Sequence, residues 1–351
     1  MTDVDYIIVG CGLAGIAFCE QLRTHQKSFV VFDNQSQQSS KVAAGLYNPV
    51  ILKRFTQVWN AKSQLELAAP KYKALEALLD VKLDCKLPVY RKFTSVEEQN
   101  EWYIASEKPV LSDFMSPNIV SNTNAFIDAQ FGFGEVMHSG RVNTTQLVTS
   151  YRDYLQNCDR LISEEFQFLS LQINSETINY KKIKAKHVVF AEGFGLTKNP
   201  FFKHLPLQGT KGEMLTIKAP DLNIDFILKS AVFIVPLEKD LYWVGATYEH
   251  HDKTYEVTES AKEDLINKLK QFITCDFEIV DQVAGIRPTT RDRRPLVGSH
   301  SEYKNIHVLN GLGTRGVMIS PFVAEQLFNY IENGNPLDPE IDIKRFESKP
   351  Y

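Results

Sequence analysis

The chain alternates between continuous apolar runs, helical stripes and stretches of strict in–out alternation. Tyr6, Ile7, Ile8 and Val9 form an unbroken apolar run near the start. Such a run predicts a strand buried on both faces of a parallel sheet. A helix is expected over Leu13–Thr24 and a second strand over 28–32. Leu65, Ala68, Tyr72, Leu75 and Leu79 recur at three- and four-residue steps, an amphipathic helix that Pro70 should kink. Ser95-x-x-Glu98 reads as a capping box opening a short helix toward Trp102. Residues 109–140 read as irregular, rich in Asn, Phe and Gly. Leu147, Val148, Tyr151 and Leu155 make another helical stripe, and 187–191 an apolar strand. Further strands are expected at 213–217, 231–236, 241–247, 278–284 and 306–309. Ser260-x-x-Glu263 reads as the cap of a helix carrying Leu265, Leu269 and Phe272. The last helix is expected over 320–331 and is ended by Gly334, with Pro336 just beyond.

The parallel-type pattern opens the chain, returns near 140–200, and returns again after 285. The pieces between alternate like an antiparallel sheet. The expected fold is therefore α/β, a Rossmann-like cofactor domain interrupted by a mixed, largely antiparallel substrate domain. The expected division is 1–82, 140–205 and 285–351 for the first, and 83–139 and 206–284 for the second.

Composition narrows this little. With 351 residues, 43% hydrophobic and 23% charged, the chain is ordinary for a globular protein of two domains. No apolar run reaches the ~20 residues of a membrane span, and no signal peptide is evident. Five scattered cysteines, never in C-x-x-C, argue against a zinc site or a disulfide framework and for a cytoplasmic protein. His250-His251 followed by Asp252 lacks a third ligand and reads as a solvated turn, so no metal is expected. The net charge of −4 gives no global drive toward nucleic acid.

The chemistry begins with Gly10-Cys11-Gly12-Leu13-Ala14-Gly15, a G-x-G-x-x-G placed between strand and helix. Gly10 permits the tight turn, Gly12 admits a pyrophosphate to the backbone, and Gly15 lets the helix pack on the strand. The helix N-terminus offers unpaired N–H groups to phosphate. Asp33 ends the second strand, eighteen residues after Gly15, where an acid binds a ribose hydroxyl. With no Arg beside it in sequence, FAD or NAD is favoured over NADP. Cys11 is expected to act through its backbone. The polar loop 34–45, with Asn34, Ser40, Ala44 and Gly45, falls where the ligand would lie.

Later segments carry a resemblance. Val188-Val189-Phe190-Ala191-Glu192-Gly193, Leu205-Pro206-Leu207-Gln208-Gly209-Thr210-Lys211-Gly212-Glu213, the stretch from Gly285 to Gly298, and Asn310-Gly311-Leu312-Gly313-Thr314-Arg315-Gly316 appear in order. Together with the amino-terminal loop they resemble the D-amino acid oxidase family of FAD-dependent oxidoreductases, which includes glycine and sarcosine oxidases. Gly313 to Gly316, followed by 317–321, look most like the oxidase half of the bacterial bifunctional enzyme that modifies the tRNA wobble uridine.

The resemblance implies FAD contacts at the loop residues above, at Ala191 and Gly193, and at Gly313, Thr314, Arg315, Gly316, Val317 and Met318. Members that bind FAD covalently use a His or Cys. Neither occurs in 34–50 or 285–298, so non-covalent FAD is expected. The implied reaction oxidises a carbon–nitrogen bond beside a carboxylate, in a small amine or amino acid, with oxygen or a quinone as final electron acceptor. Arg287 and Arg315 fall where the family places substrate-facing arginines, and a planar guanidinium suits a carboxylate. An ion pair of Arg287 with Asp292 is the structural alternative. Tyr248 is a candidate pocket residue. Arg287, Arg291, Arg293 and Arg294, with Lys53 and Arg54, read as a solvated charged turn or as a basic rim for a polynucleotide such as tRNA. Oxidation of a 2-hydroxy acid and a non-catalytic flavin- or NAD-binding role stand as further alternatives.

Overall fold

A computed structural model describes residues 2–347. Residue 1 and residues 348–351, the outer ends of the expected cofactor domain, lie outside the described residues. The amino-terminal strand Thr2–Val9 sits inside an eight-stranded sheet. In it Leu161–Ile162, Phe29–Phe32, Thr2–Val9, Ile183–Phe190 and Ile306–Asn310 run parallel in that spatial order. Tyr6 and Ile8 enter one core and Ile7 and Val9 the opposite one, so the apolar run is buried on both faces as expected. The helix Leu13–Thr24 follows the glycine turn, and the carboxy-terminal helix Gly316–Asn333 packs beside it.

The second layer is another eight-stranded sheet. Its order is Glu278–Thr290, Leu207–Lys218, Leu241–Gly245, Phe233–Pro236, Ile227–Lys229, Val89–Lys92, Phe133–Val136 and Met115–Val120. Every pairing is antiparallel except that of Ile227–Lys229 with Val89–Lys92. Paired residues share a face, which sorts the side chains cleanly. Leu215, Ile217, Leu228, Ile234 and Val244 join Leu265 and Leu269 of the helix Glu259–Leu269 in a core. The other face carries Arg287, Gly285, Gly212, Met214, Gly245, Trp243, Phe233 and Lys229.

Several sequence expectations need correction. Residues 109–140 contain the strands Met115–Val120 and Phe133–Val136. Pro117 and a register shift between Met115 and Ile119 hide the alternation of this edge strand. The helix Glu259–Leu269 is capped by Thr258, whose hydroxyl accepts from the Ala261 N–H at 3.3 Å, rather than by Ser260. Ser95 does cap Val96–Ser106, but Glu98 reaches back to Thr94 instead of Ser95. The last helix begins at Gly316, four residues earlier than its apolar periodicity suggests.

Lys211 is fully buried between Asp252 and Glu213, its ammonium 3.6 Å from a Glu213 carboxylate oxygen. It also donates to the Glu256 carbonyl, and so ties the 249–258 loop to the sheet. Removing one partner of a buried ion pair strands the other charge. Lys211→Met is therefore expected to cost about 3–5 kcal/mol in denaturant unfolding.

Candidate active site

A cavity of about 750 Å³ lies between the two layers. That is toward the upper end of the range of about 300–1,000 Å³ for small-molecule and cofactor sites. Its described wall includes Gly10, Gly12, Leu13, Ala14, Asp33, Asn34, Ser40, Ala44, Gly45, Ala191, Gly193, Tyr248, Arg287, Gly313, Thr314, Arg315, Gly316 and Val317. Segments as distant in sequence as 10 and 317 thus meet on one surface. Gly15 and Met318 are not on this wall. Gly15 acts by packing, since a Cβ there would stand 2.0 Å from the Gly10 carbonyl oxygen. Met318 lines a second cavity, and its N–H is already given to the Arg315 carbonyl at 3.0 Å.

At the glycine turn, Gly10 has φ +103° and no room for a Cβ, which would meet the Ala191 carbonyl oxygen at 2.4 Å. Asp33 accepts the Cys11 N–H at 2.8 Å and the Gln35 N–H at 2.6 Å, one on each oxygen. Ser40 accepts the Leu13 N–H at 3.2 Å, so the 34–45 loop caps the first helix from outside. Burial pushes the Cys11 thiol up to about 12, which makes it unreactive.

Sequence adjacency misled at Asp33. The buried Arg152, from the helix Thr144–Asn157, stands 3.0 Å from its carboxylate. The contact is ionic, without directed hydrogen-bond geometry at that nitrogen. Nothing local marks Arg152 in sequence, because the pairing spans more than a hundred residues.

Glu192 is a second residue that the sequence reading passed over. It lines the cavity and accepts from the Asn199 amide at 2.7 Å. Burial raises its carboxyl to about 7. The fold therefore favours the protonated form, and this contribution to stability is full below pH 4.5 and lost as pH rises through about 7. In cofactor-free protein, Glu192→Gln should remove a decline of about 3 kcal/mol across that window, read by unfolding titrations.

At the other end, the Arg287 guanidinium lies across Gly212, where a Cβ would come within 2.1 Å of it. It donates to the Thr247 carbonyl at 3.2 Å and stacks 4.8 Å from the Tyr248 ring centroid. Asp292 is not its partner: that carboxylate pairs with Arg345 at 2.8 Å. No carboxylate among the described residues pairs with Arg287 or Arg315. Burial lowers the pKa of both guanidinium groups. Tyr248 is largely exposed and forms the rim. In the arginine-rich turn, Arg294 pairs with Glu340 at 2.9 Å, while Arg291 and Arg293 are exposed. Trp243 on the cavity floor has a buried indole N–H with no acceptor.

The five cysteines are free thiols. Among the described residues no group of three or more His, Cys, Asp or Glu is placed to hold a metal, and no helix is long and apolar enough to cross a membrane.

A glycine turn opening a helix, an acid after the next strand, and a long cavity floored by an antiparallel sheet define a dinucleotide-dependent oxidoreductase. The model of the family described as DAO, FAD dependent oxidoreductase, matches residues 5–329, and the chain belongs to that family. Its cofactor is FAD. A stretch of 143 residues is 29% identical to the tRNA 5-methylaminomethyl-2-thiouridine biosynthesis bifunctional protein MnmC of Campylobacter jejuni, covering 39% of this chain and 23% of that protein. Another of 156 residues is 30% identical to glycine oxidase of Bacillus subtilis, covering 42% of each. The matched stretches thus span less than half of these relatives. Glycine oxidase from Geobacillus kaustophilus superposes with a TM-score of 0.80 at 18% identity over 100% of both chains, a likeness of fold.

The residues present suit FAD. Gly10 and Gly12 carry no side chain of their own into the cavity, and one cavity wall runs from them to the antiparallel sheet face.

Proposed function

We propose that the protein oxidises the carbon–nitrogen bond of an amino acid or N-substituted glycine. Bound FAD would accept the hydride that the carbon beside nitrogen gives up, and water would hydrolyse the imine product. The observation that carries this reading is the pair of cavity arginines, Arg287 and Arg315, without a carboxylate partner. Half-buried cations without a protein counter-charge favour an anionic ligand, and a substrate carboxylate supplies one. Arg287 would grip it through its planar fork, with Tyr248 stacked behind the guanidinium and Gly212 leaving room for it. Phe233, Met214 and Trp243 would give the reacting carbon an apolar floor that keeps water away.

In this reading FAD is held without a covalent bond. Gly10, Gly12, Asp33 and Ser40 serve its nucleotide end, and Ala44, Gly45 and 313–317 its ring end. Bound FAD supplies the two-electron acceptor. Cys11 is the only thiol on the described wall, and its raised pKa disfavours attachment. The division into 1–82, 140–205 and 285–351 against 83–139 and 206–284 belongs to the same proposal, as does a cytoplasmic setting. The yellow holoprotein should bleach anaerobically on addition of glycine, sarcosine or a related amino acid. No bleaching across such a panel would overturn the substrate class.

One observation favours a second reading, oxidation of a carboxymethylaminomethyl group on tRNA. Lys53 lines the cavity and Arg293 is near enough to Arg315 to lower its pKa, which forms a basic edge at the site. A gel shift with tRNA at low salt tests it; absence of binding there removes it.

A further inference from the structure

A second cation, in addition to Arg287, stands on the cavity floor. Lys229, on the strand Ile227–Lys229, lies on the same sheet face as Phe233, Gly245, Met214 and Arg287. Its ammonium sits 4.8 Å from the Phe233 ring centroid, and its one hydrogen bond is to the Ala231 carbonyl at 3.4 Å. No carboxylate among the described residues pairs with it. The nearby charges are themselves cationic, and each has an acid of its own: Arg91 pairs with Glu98 at 2.6 Å and Lys268 with Asp264 at 2.7 Å. Burial, with those two neighbours, lowers Lys229 to about 8, the behaviour of a cation lacking its counter-ion.

The acids on the cavity wall are Asp33, Glu164, Glu165 and Glu192, and all follow strands of the parallel layer. Among the described residues, the part of the antiparallel face that lines the cavity therefore presents Arg287 and Lys229 without a carboxylate. A glycine-like zwitterion brings one carboxylate and cannot serve both. The guanidinium lies over Gly212 and the ammonium over Phe233, two strand spacings and two residues of register apart, roughly 12 Å.

We infer that Lys229 receives a second anionic group of the substrate, so the substrate class is a small dianion such as an N-(carboxyalkyl)glycine. Its glycine carboxylate sits at Arg287 and its distal anion at Lys229. This rests on the carbon–nitrogen oxidation proposed above but is tested without turnover.

Calorimetric titration of FAD-loaded protein at pH 7 compares glutarate with butyrate. Glutarate should bind at least ~10-fold more tightly. Lys229→Met should weaken glutarate by at least ~10-fold and leave butyrate within about 2-fold, while Lys229→Arg keeps the preference. Equal affinities in the unaltered protein, no binding of either anion, or equal weakening of both by Lys229→Met would overturn the inference. A persistent glutarate preference with no bleaching by any amine would instead overturn the oxidation reading and leave the dianion site standing.

Discussion

Arg287→Ala is expected to raise the half-saturating concentration of a flavin-bleaching carboxylate substrate by roughly 30- to 5,000-fold. The guanidinium is the one charged group that the outer strand Glu278–Thr290 lays across the cavity floor, and its protein partners are a carbonyl and a ring. A charge-assisted fork to a carboxylate in a buried site is worth about 2–5 kcal/mol when truncated. Arg287→Lys should recover only part of the loss, because an ammonium cannot make two parallel bonds. Gly212→Ala offers a sharper version. Its Cβ would occupy the space of the guanidinium, the far end of a flexible side chain that can swing aside. The fold should survive while substrate affinity falls at least ~10-fold. Steady-state kinetics with stability measured alongside separate the two effects. An unchanged KM in both variants would deny Arg287 the role of anchor.

The second large effect is expected at the glycine turn. Gly10→Ala forces a side chain into a left-handed turn, costing about 1–2 kcal/mol, and drives the Cβ to 2.4 Å from the Ala191 carbonyl oxygen. Backbone cannot swing aside as a guanidinium can, so the turn itself must move. The protein should purify with at least ~10-fold less bound FAD per folded chain, read from visible absorbance against far-ultraviolet circular dichroism. Gly313→Ala is the contrast. It also has positive φ, but its Cβ would meet only the Thr289 methyl at 3.8 Å. A strain cost of about 1 kcal/mol with FAD retained is expected there. Full FAD occupancy in Gly10→Ala would remove the turn from the cofactor site.

Local signals carried the parallel layer well. The first strand, the helix Leu13–Thr24 and the glycine turn are each written in consecutive residues, so the sequence alone places them. The cavity wall was legible for the same reason: its glycine-rich segments are distinctive wherever they fall. Edge strands such as Met115–Val120 were not legible, because a proline and a register shift break the period that would show them. Lys229 and Arg152 were invisible for a different reason. Alternation says which residues share a face but not which strand lies beside which. Only the pairing of Ile227–Lys229 with Phe233–Pro236 puts Lys229 on the floor that holds Arg287. The Gly316 helix start was masked differently: Val317, Met318 and Ile319 are buried at consecutive positions, so the first turn shows no helical period.

The strand Glu278–Thr290 joins the two layers. It begins in the antiparallel sheet, and at Ile286 its carbonyl accepts the Ser39 hydroxyl of the cofactor loop. A Cβ on Gly285 would collide with Val42 of the same loop at 2.6 Å, so loop and strand are in direct contact two residues before Arg287. The strand then ends at a turn tied by Asp292 to Arg345 near the carboxy terminus. An unbroken strand pinned at three points leaves no joint on which one layer can swing over the other. Tyr248, exposed at the rim, is the cavity side chain left with room to move, and the backbone at Arg287 keeps its position relative to the 34–45 loop.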